Sequence, residues 1–282
     1  LITISINNRD RCLLRWTIIR KSKKINMKTG YFNSSVIKPL VPASLQHSGV
    51  FTAGDVLFDW TPFEIPRGTA RLIGATVLVR PKGDAAATPN VFGIDLLFHK
   101  DTAISATPTS IGTVNAPGPV LPSNDIVGTL SVEATAFATG GATGSIAVAT
   151  SGSADSCLIL EGNPTTGANI GVDKYYVAGI AGGAHFFTSL NAIAEDTAAD
   201  NAAGVAITTD GTSMKCGESI MVGDVLHIGT TVGTPVADSL IGTVAIVADS
   251  LVTLEVASPT ALVDGDILYN INPIRIILHF QK

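Results

Sequence analysis

Apolar and polar residues alternate along most of the chain after Phe51, and this period of two residues predicts β-strands. The clearest case is Val91–His99, which places four large apolar side chains on one face: Phe92, Ile94, Leu96 and Phe98. Such a pattern is typical of an antiparallel strand with one buried face. The alternation returns in Pro273–Phe280, and a closing strand of this kind usually pairs with strands from early in the chain.

Shorter patterns fill the body between these two segments. The further predicted strands are Asp55–Trp60, Ala70–Arg80, Ile126–Phe137, Ser156–Leu160 and Lys174–Ile180. Helical periodicity is scarce, and Ser189–Ala203 is the one stretch that favours a helix. We therefore expect an all-β antiparallel sandwich.

Residues 217–270 follow a rhythm of their own. Four short strands are predicted there: Gly223–His227, Leu240–Val247, Ser250–Val256 and Gly265–Tyr269. Short strands with Gly-Asp turns indicate a small closed barrel. The stretch resembles SH3-like small barrels, which often open with a Gly-Asp-Val-x-Val strand. The resemblance implies a small SH3-like β-barrel inserted between the last two strands of the main body, and it indicates no ligand.

The tetrad Gly-Asp-[Val/Ile]-Leu occurs three times, at 54–57, 223–226 and 265–268. Its irregular spacing argues against a tandem repeat. We expect a local cause instead. Glycine allows a positive φ at the turn, and aspartate hydrogen-bonds back to the turn backbone before a strand begins.

Composition changes the picture from a monomeric globule to a subunit of an assembly. Of the 282 residues, 15% are charged and 6% are aromatic, whereas a typical globular chain has about 25% charged residues. The chain is too apolar for a disordered protein and too rich in glycine and β-branched residues for a helical bundle. Because few charges are left for a water-facing surface, we expect chains that bury surface against one another.

Positive charge is concentrated in the first 30 residues, which hold eight Lys or Arg and one Asp. Their net charge of +7 leaves −12 for the rest of a chain whose total is −5. Residues 1–26 form a basic segment before Met27, and two interpretations are open. The segment is either translated leader sequence upstream of a start at Met27, or an arm that contacts a neighbouring subunit or nucleic acid.

The sequence carries no recognisable catalytic or cofactor motif, such as a Gly-x-Ser-x-Gly turn, an HExxH pair or a phosphate-binding loop. Three distant cysteines, Cys12, Cys157 and Cys216, indicate free buried thiols. Acidic groups at 195–200 and 264–266 lack the spacing of a calcium loop. We therefore expect a protein that is not an enzyme, with no cofactor, no metal and no membrane-spanning segment.

Residues 27–49 are predicted to form an extended docking arm. Pro39 and Pro42 prevent a long helix, and the many apolar side chains suit a protein contact better than water. The candidate docking residues are Tyr31, Phe32, Val36, Ile37, Leu40, Val41 and Leu45. Laid against a neighbour, such a segment can bury its side chains and pair its backbone. The alternative is that it packs on its own domain as a long N-terminal strand.

Two stretches resemble virion structural proteins of tailed bacteriophages: Met27–Leu45, and Gly54–Lys100 with its long strands and Pro-Lys-Gly-Asp turn. The resemblance implies a capsid decoration or cement protein, often trimeric, with a jelly-roll-like body. Its partners would be copies of itself and the major capsid protein or another virion protein. The expected layout is a basic segment (1–26), an arm (27–49), a β-sandwich (50–216 and 271–282) and the small barrel (217–270).

Two other classes of protein stay open. One is a jelly-roll coat protein whose basic arm contacts packaged nucleic acid. The other is a tail-borne or secreted carbohydrate-active protein, which needs two carboxylates roughly 5–10 Å apart beside an aromatic ring. Tyr175 and Tyr176 would point to opposite faces of a strand, so they would not form one sugar-binding platform.

The two interpretations of residues 1–26 predict different behaviour towards nucleic acid. If the segment is an arm, the full chain should bind single strands with a log–log salt slope of up to roughly −0.7 per phosphate contact. Removing residues 1–26 should abolish this binding, because the rest of the chain is acidic. Intact-mass measurement of protein from native particles is the accompanying test, and a mass that begins at Met27 contradicts the arm.

Overall fold

Antiparallel β-strands dominate the described part of the chain, as the alternation predicts. A computed structural model describes residues 32–47, 50–66, 69–81, 89–100, 108–118, 126–139, 145–150, 158–161, 172–185, 187, 193–194, 206–209, 216–231, 234–259, 262 and 266–282. Phe32–Lys282 forms one compact unit. The basic segment at 1–26 lies outside the described residues, as do Cys12 and Cys157.

The elements are short and numerous. The strands are β1 (Phe32–Ile37), β2 (Val56–Pro66), β3 (Thr69–Val79), β4 (Ile94–Lys100), β5 (Ile126–Val132), β6 (Phe137–Thr139), β7 (Ser145–Thr150), β8 (Ile159–Glu161), β9 (Val172–Ala181), β10 (Ile193–Ala194), β11 (Ala206–Thr208), β12 (Val225–Thr231), β13 (Thr234–Ala248), β14 (Leu251–Leu254), β15 (Asp266–Asn270) and β16 (Ile274–Gln281). The helices are α1 (Ala43–His47), α2 (Cys216–Ser219) and a 3-10 turn (Ala134–Ala136).

The strands form three sheets. Sheet 1 has the order β1-β16-β3-β7-β6, and β8 also pairs with β3. Sheet 2 has the order β10-β15-β12-β13-β14-β11, and sheet 3 has the order β2-β9-β4-β5. Within the three sheets, every pair of neighbouring strands is antiparallel.

The pairing in sheets 1 and 3 is nested. β4 pairs with β5, β3 with β7, β2 with β9 and β1 with β16, so each pair encloses the one before it in sequence. Successive pairs alternate between sheet 3 and sheet 1. The chain is therefore a long two-stranded ribbon that is folded over itself. The predicted pairing of the closing strand with early strands is confirmed, because β16 lies between β1 and β3.

Sheets 1 and 3 share one apolar core. Alternate residues of β16 are buried (Ile274, Ile276, Leu278 and Phe280), and they pack with the inward residues of β2, β4 and β9. The ring of Phe63 lies 6.1 Å from Phe280 and 6.1 Å from Phe98, joining the two sheets. Burying a side chain of this size contributes roughly 1.5–3 kcal/mol, so this layer is the main source of stability in the sandwich.

The predicted single buried face of β4 is correct for one face and wrong for the other. Phe92, Ile94, Leu96 and Phe98 are all buried in the shared core. However, Leu97 and His99 on the opposite face are also buried. Leu97 packs with Ile111 of the 108–118 segment in a second, smaller cluster that covers this end of sheet 3. The segment that follows β4 in the chain therefore hides positions that alternation alone assigns to water.

Sheet 2 is built from strands that lie between β9 and β16 in the chain, and it has a separate apolar cluster that includes Leu226, Val244 and Leu268. β12 pairs with both β13 and β15, as expected for one sheet. The predicted closed barrel is not observed, because no sheet in the described residues closes on itself. The predicted helix at Ser189–Ala203 is wrong at Ile193–Ala194, which form β10 at the edge of sheet 2. The rest of that stretch lies outside the described residues.

The expected local role of the Gly-Asp tetrad is confirmed at its first two occurrences. Gly54 and Gly223 have φ values of 92° and 78°, which suit glycine. A carboxylate oxygen of Asp55 accepts from the Thr52 amide at 2.6 Å, and one of Asp224 accepts from the Met221 amide at 2.9 Å. Each aspartate thus closes a turn three residues back, immediately before a strand. Gly265 lies outside the described residues.

A buried histidine closes one end of the sandwich. The His185 ring stacks on Phe92 with centroids 3.5 Å apart and on Phe51 with centroids 4.8 Å apart. Backbone hydrogen bonds join His185 to Phe51 in both directions. Burial lowers the pKa of His185 from 6.5 to about 4, although the Gly183 carbonyl and Asp55 oppose part of the shift. The imidazole is therefore neutral within its aromatic stack at neutral pH.

We expect His185 to make the fold less stable as the pH falls from 6.5 towards 4. In this window the unfolded chain binds a proton on the imidazole and the folded chain does not, so acid favours unfolding. The loss should be at most about 3 kcal/mol. Urea unfolding at several pH values should show a much flatter dependence for His185→Phe, which keeps the stacking ring. Ser34→Ala, at an exposed strand position, should keep the parent slope. An unchanged slope in His185→Phe would contradict this role.

Candidate functional site

The structure divides the predicted docking residues between the surface and the core. Phe32, Val36 and Leu40 are 70%, 57% and 56% exposed. Ile37 and Val41 are buried in the shared core, Leu45 is half-buried, and Tyr31 lies outside the described residues. The alternative of an N-terminal strand on its own domain describes Phe32–Ile37, which pairs with β16. Deleting residues 27–49 would therefore remove core side chains as well as surface ones.

The outward side of sheet 1 presents a neutral surface, which we call the outer face. One row of cross-strand neighbours runs Val36, Ile277, Thr76 and Val148 through four strands. Val148 is 60% exposed. All four side chains in this row are uncharged and β-branched. An exposed row of uncharged, β-branched side chains is suited to packing against another protein.

The next row of the outer face contains Arg275, Leu78, Ile146 and Ala138. Arg275 is the one charged residue in the two rows. On the other side, the row through Ser34 includes His279, whose Nε2 lies 2.8 Å from the Thr76 hydroxyl. At the border, β1 is an edge strand, and no described strand pairs with its free side. The outer face thus ends in an open row of backbone hydrogen-bonding groups.

A buried carboxylate sits where sheet 2 meets sheet 1. Asp224 follows the turn after α2 and is 2% exposed. One oxygen, Oδ1, accepts from Arg275 Nη2 at 3.1 Å and lies 3.5 Å from Lys38 Nζ. The other, Oδ2, accepts from the Met221 amide and from Asn270 Nδ2, both at 2.9 Å. Three hydrogen bonds and one further ion pair therefore hold the carboxylate, and the four partners come from four separate stretches of chain.

Amide side chains extend this network through the interior. Gln46 donates to the carbonyls of Val41 and Asn270 at 2.7 and 2.8 Å, and its Oε1 accepts from Arg80 Nη2 at 2.5 Å. Asn272 Oδ1 accepts from the Val225 amide at 2.9 Å. Because each of these groups is buried, an unmade bond would leave a costly unpaired polar atom. The network joins α1, β3, β12 and the link between β15 and β16.

Arg80 directly follows β3 and belongs to this network. The residue is 6% exposed, and its guanidinium lies 5.5 Å from the centre of the Phe187 ring. Burial lowers the pKa of Arg80 to about 9, and the charge of Asp224 opposes part of that shift. The arginine is still cationic at neutral pH, and it places a second positive charge near Arg275.

A cavity of about 240 Å³ opens between the two sheets beside these groups, and we call it the cleft. Apolar walls come from the end of β3, the start of β7 and the chain around α2 and Pro273. The residues that line the cleft include Leu78, Arg80, Ser145, Ile146, Ser219, Met221 and Arg275. Chemically, the arrangement can bind and orient a small group. Among the described residues of the cleft, no serine hydroxyl is hydrogen-bonded to a side chain that could act as its general base.

The cysteine, metal and membrane predictions can be compared with the described residues. Cys216 is a free buried thiol as predicted, and burial raises its pKa, while the Thr209 hydroxyl 3.3 Å away partly opposes the shift. No group of three or more potential metal ligands occurs in the described residues. Among the described helices, none is long and apolar enough to span a membrane.

Aromatic side chains on sheet 3 do not form a flat platform. Tyr175 is buried against Phe63 and Tyr176 is half-exposed, so the predicted opposite directions of these two rings are confirmed. Trp60 and Tyr176 flank His99 with centroids 5.3 and 6.0 Å away, tilted by 40° and 49°. These described rings therefore do not form one coplanar surface.

Sequence reasoning missed the cleft and most of the network around Asp224. The Gly-Asp tetrad indicated that Asp224 closes a turn, and that signal was correct. Its partners Lys38 and Arg275 are far away in the chain, so no local spacing could reveal them. The Asn270-x-Asn272 pair next to a strand end was the one available hint, since buried amides at such a place usually satisfy backbone groups.

Comparison with protein-family models and with curated proteins finds no match for this chain.

Replacing Asp224 should destabilise the protein strongly. Asp224→Ala removes the anionic partner of Arg275 and Lys38, and it removes one of the two acceptors of Asn270 Nδ2, which keeps its bond to the Ser219 carbonyl. We expect this loss to cost about 3–5 kcal/mol. Chemical denaturation monitored by tryptophan fluorescence measures the change. Asp95→Ala is the matched control, because Asp95 accepts one hydrogen bond from Ser131 at an exposed site and should cost less than about 1 kcal/mol. Similar losses for both variants would contradict the special role of Asp224.

Proposed function

We propose that this chain is a non-enzymatic virion structural protein, a capsid decoration or cement subunit that stabilises the shell of a tailed bacteriophage. Its partners are other copies of the chain, most simply as a trimer, and the major capsid protein or another virion protein. The observation that carries the proposal is the neutral outer face of sheet 1, which ends at an open edge strand.

The strand order supports a jelly roll as the body of such a subunit. Two facing four-stranded arrangements, β1-β16-β3-β7 and β2-β9-β4-β5, are built from nested pairs. A ribbon folded in this way is the topology of jelly rolls, which recur in viral capsid proteins and also in lectins and cupins. Fold alone does not assign function, so the proposal depends on the outer face.

The outer face supports protein contact over exposure to water. A monomer needs charges distributed over its surface. In the two adjacent rows across sheet 1, however, Arg275 is the one charged residue. The exposed residues Phe32, Val36 and Leu40 continue this apolar surface along the predicted docking arm. We assign the outer face to the contact with the shell, and the free edge of β1 offers the backbone groups for strand addition.

A coat protein with a nucleic-acid-binding arm is the second candidate, and one observation favours it. Residues 1–30 hold eight Lys or Arg, whereas the rest of the chain is acidic. A jelly-roll body with a basic arm would place the arm towards packaged nucleic acid. The two candidates differ in whether residues 1–26 bind nucleic acid, so the salt-dependent binding of the full and truncated chains separates them. The following experiment tests the docking surface of the first candidate.

Placing a charge on the outer face should release the subunit from its particle without unfolding it. Val148→Glu buries an unpaired carboxylate in the proposed contact, and we expect at least about a tenfold loss of particle binding. The melting temperature should change little, because Val148 is already exposed in the free chain. Co-sedimentation of the purified variant with native particles measures binding.

Val256→Glu is the matched control. Val256 is 70% exposed and follows β14 in sheet 2, away from the outer face. Its substitution should leave particle binding unchanged. Equal binding by Val148→Glu and the parent chain would contradict the docking surface. A purified chain that stays monomeric at high micromolar concentration would separately contradict the trimer.

A further inference from the structure

The cleft between sheets 1 and 2 has unequal numbers of positive and negative groups. Arg80 and Arg275 line it, and Lys38 lies 3.5 Å from Asp224 at its side. The one carboxylate among these groups, Asp224, already receives hydrogen bonds from Arg275, Met221 and Asn270. Among its described residues, the cleft therefore keeps a surplus of positive charge after the one acidic side chain there has been satisfied.

Two buried hydroxyl groups also lack partners there. Ser145 and Ser219 line the cleft and are 3% and 5% exposed. Neither hydroxyl oxygen has a hydrogen-bond partner in the described structure. Leaving a buried hydroxyl unpaired is unfavourable. Rotation about the Cβ–Oγ bond lets each hydroxyl donate towards the cavity, so both serines can add a donor beside Arg275.

Most of the remaining wall is apolar. Leu78, Ile146 and Met221 contribute aliphatic and thioether surface on either side of the opening. A volume of about 240 Å³ corresponds to roughly eight groups of the size of a water molecule. An occupant that suits these walls has a short apolar body and an acceptor-only head. A carboxylate is such a head, because its two oxygens accept and do not donate.

We propose that the cleft is a binding site for a small carboxylate carried on a short apolar group. Arg275 and the Ser145 and Ser219 hydroxyls bind the carboxylate, and the apolar walls of the cleft take the hydrocarbon. The same chemistry has two sources: a free short-chain acid, or the C-terminal carboxylate of a chain that ends in an apolar residue. The site borders the outer face, because Leu78, Ile146 and Arg275 belong both to the cleft and to the second row of that face.

Methionine methyl resonances provide a direct test on the full chain. The protein has three methionines, and Met221 lines the cleft. In protein labelled with ¹³C at the methionine methyl groups, hexanoate should shift the Met221 signal saturably, with a Kd on the order of 1 mM or below. The signal is assigned with Met221→Leu. Hexanamide, which has the same size but no charge, should bind at least about tenfold more weakly.

N-acetyl-leucine distinguishes the two sources of the carboxylate, with N-acetyl-leucinamide as its uncharged control. Tighter binding of N-acetyl-leucine than of hexanoate assigns the site to a chain terminus, and the reverse assigns it to a free acid. Equal shifts from the acids and their amides would overturn the proposal. A Met221 signal that fails to saturate with either acid would overturn it as well.

Three variants link the binding to named residues. Arg275→Gln should weaken hexanoate binding about tenfold or more, because it removes the charged donor. Ile146→Trp should abolish binding by filling the cleft from an exposed position, which keeps the test independent of any charge effect on folding. Arg71→Gln removes a cation elsewhere on sheet 1 and should leave binding unchanged. Parent-like binding by both Arg275→Gln and Ile146→Trp would contradict the site.

Discussion

The buried carboxylate of Asp224 is the constraint on which the arrangement of the sheets depends. It is a charge removed from water, and it is tolerated because Arg275, Lys38, Asn270 and a backbone amide surround it. These partners belong to β16, to the chain after β1 and to sheet 2. Any displacement of sheet 2 against sheet 1 would therefore expose or orphan a charge. An apolar contact would allow sliding, whereas this one fixes a single position.

The network around Asp224, where sheets 1 and 2 meet, is rich in charged and amide groups, whereas the outer face of sheet 1 is nearly uncharged. Inside the molecule, charges and amides are concentrated where sheets 1 and 2 meet, and they fix the relative position of the two sheets. Outside, sheet 1 presents Val36, Ile277, Thr76 and Val148 with no charge to oppose an approaching surface. Only 15% of the residues are charged, and several of these charges lie around Asp224. Arg275 is the one of them that also lies in the two rows of the outer face, where it is paired with Asp224.

Local alternation was enough to predict β4 and β16 as strands. In β16 the buried positions follow one face of the sheet, whereas in β4 the alternation predicted the inner face and missed the burial of Leu97 and His99 on the other. Alternation did not predict that Phe32–Ile37 pairs with β16. The middle of this segment is polar, which is typical of an exposed arm, and its partner strand lies at the other end of the chain. The closed barrel was wrong because strand spacing does not specify whether the edges of a sheet meet. The cleft could not be predicted at all, because its walls come from β3, β7 and the turn after α2.

The nested ribbon also determines the order in which this protein can fold. The innermost pair, β4 and β5, is closed by a connection of roughly 25 residues, whereas Phe32 meets Gln281 across almost the whole described chain. Each doubling of a loop adds about 0.6 kcal/mol to its closure, so the outermost pair is about 2 kcal/mol harder to close. Synthesis on the ribosome delays it further, because β16 emerges last. Until then β3 lacks its neighbour β16, and the newly made chain exposes a sheet edge that the finished protein covers.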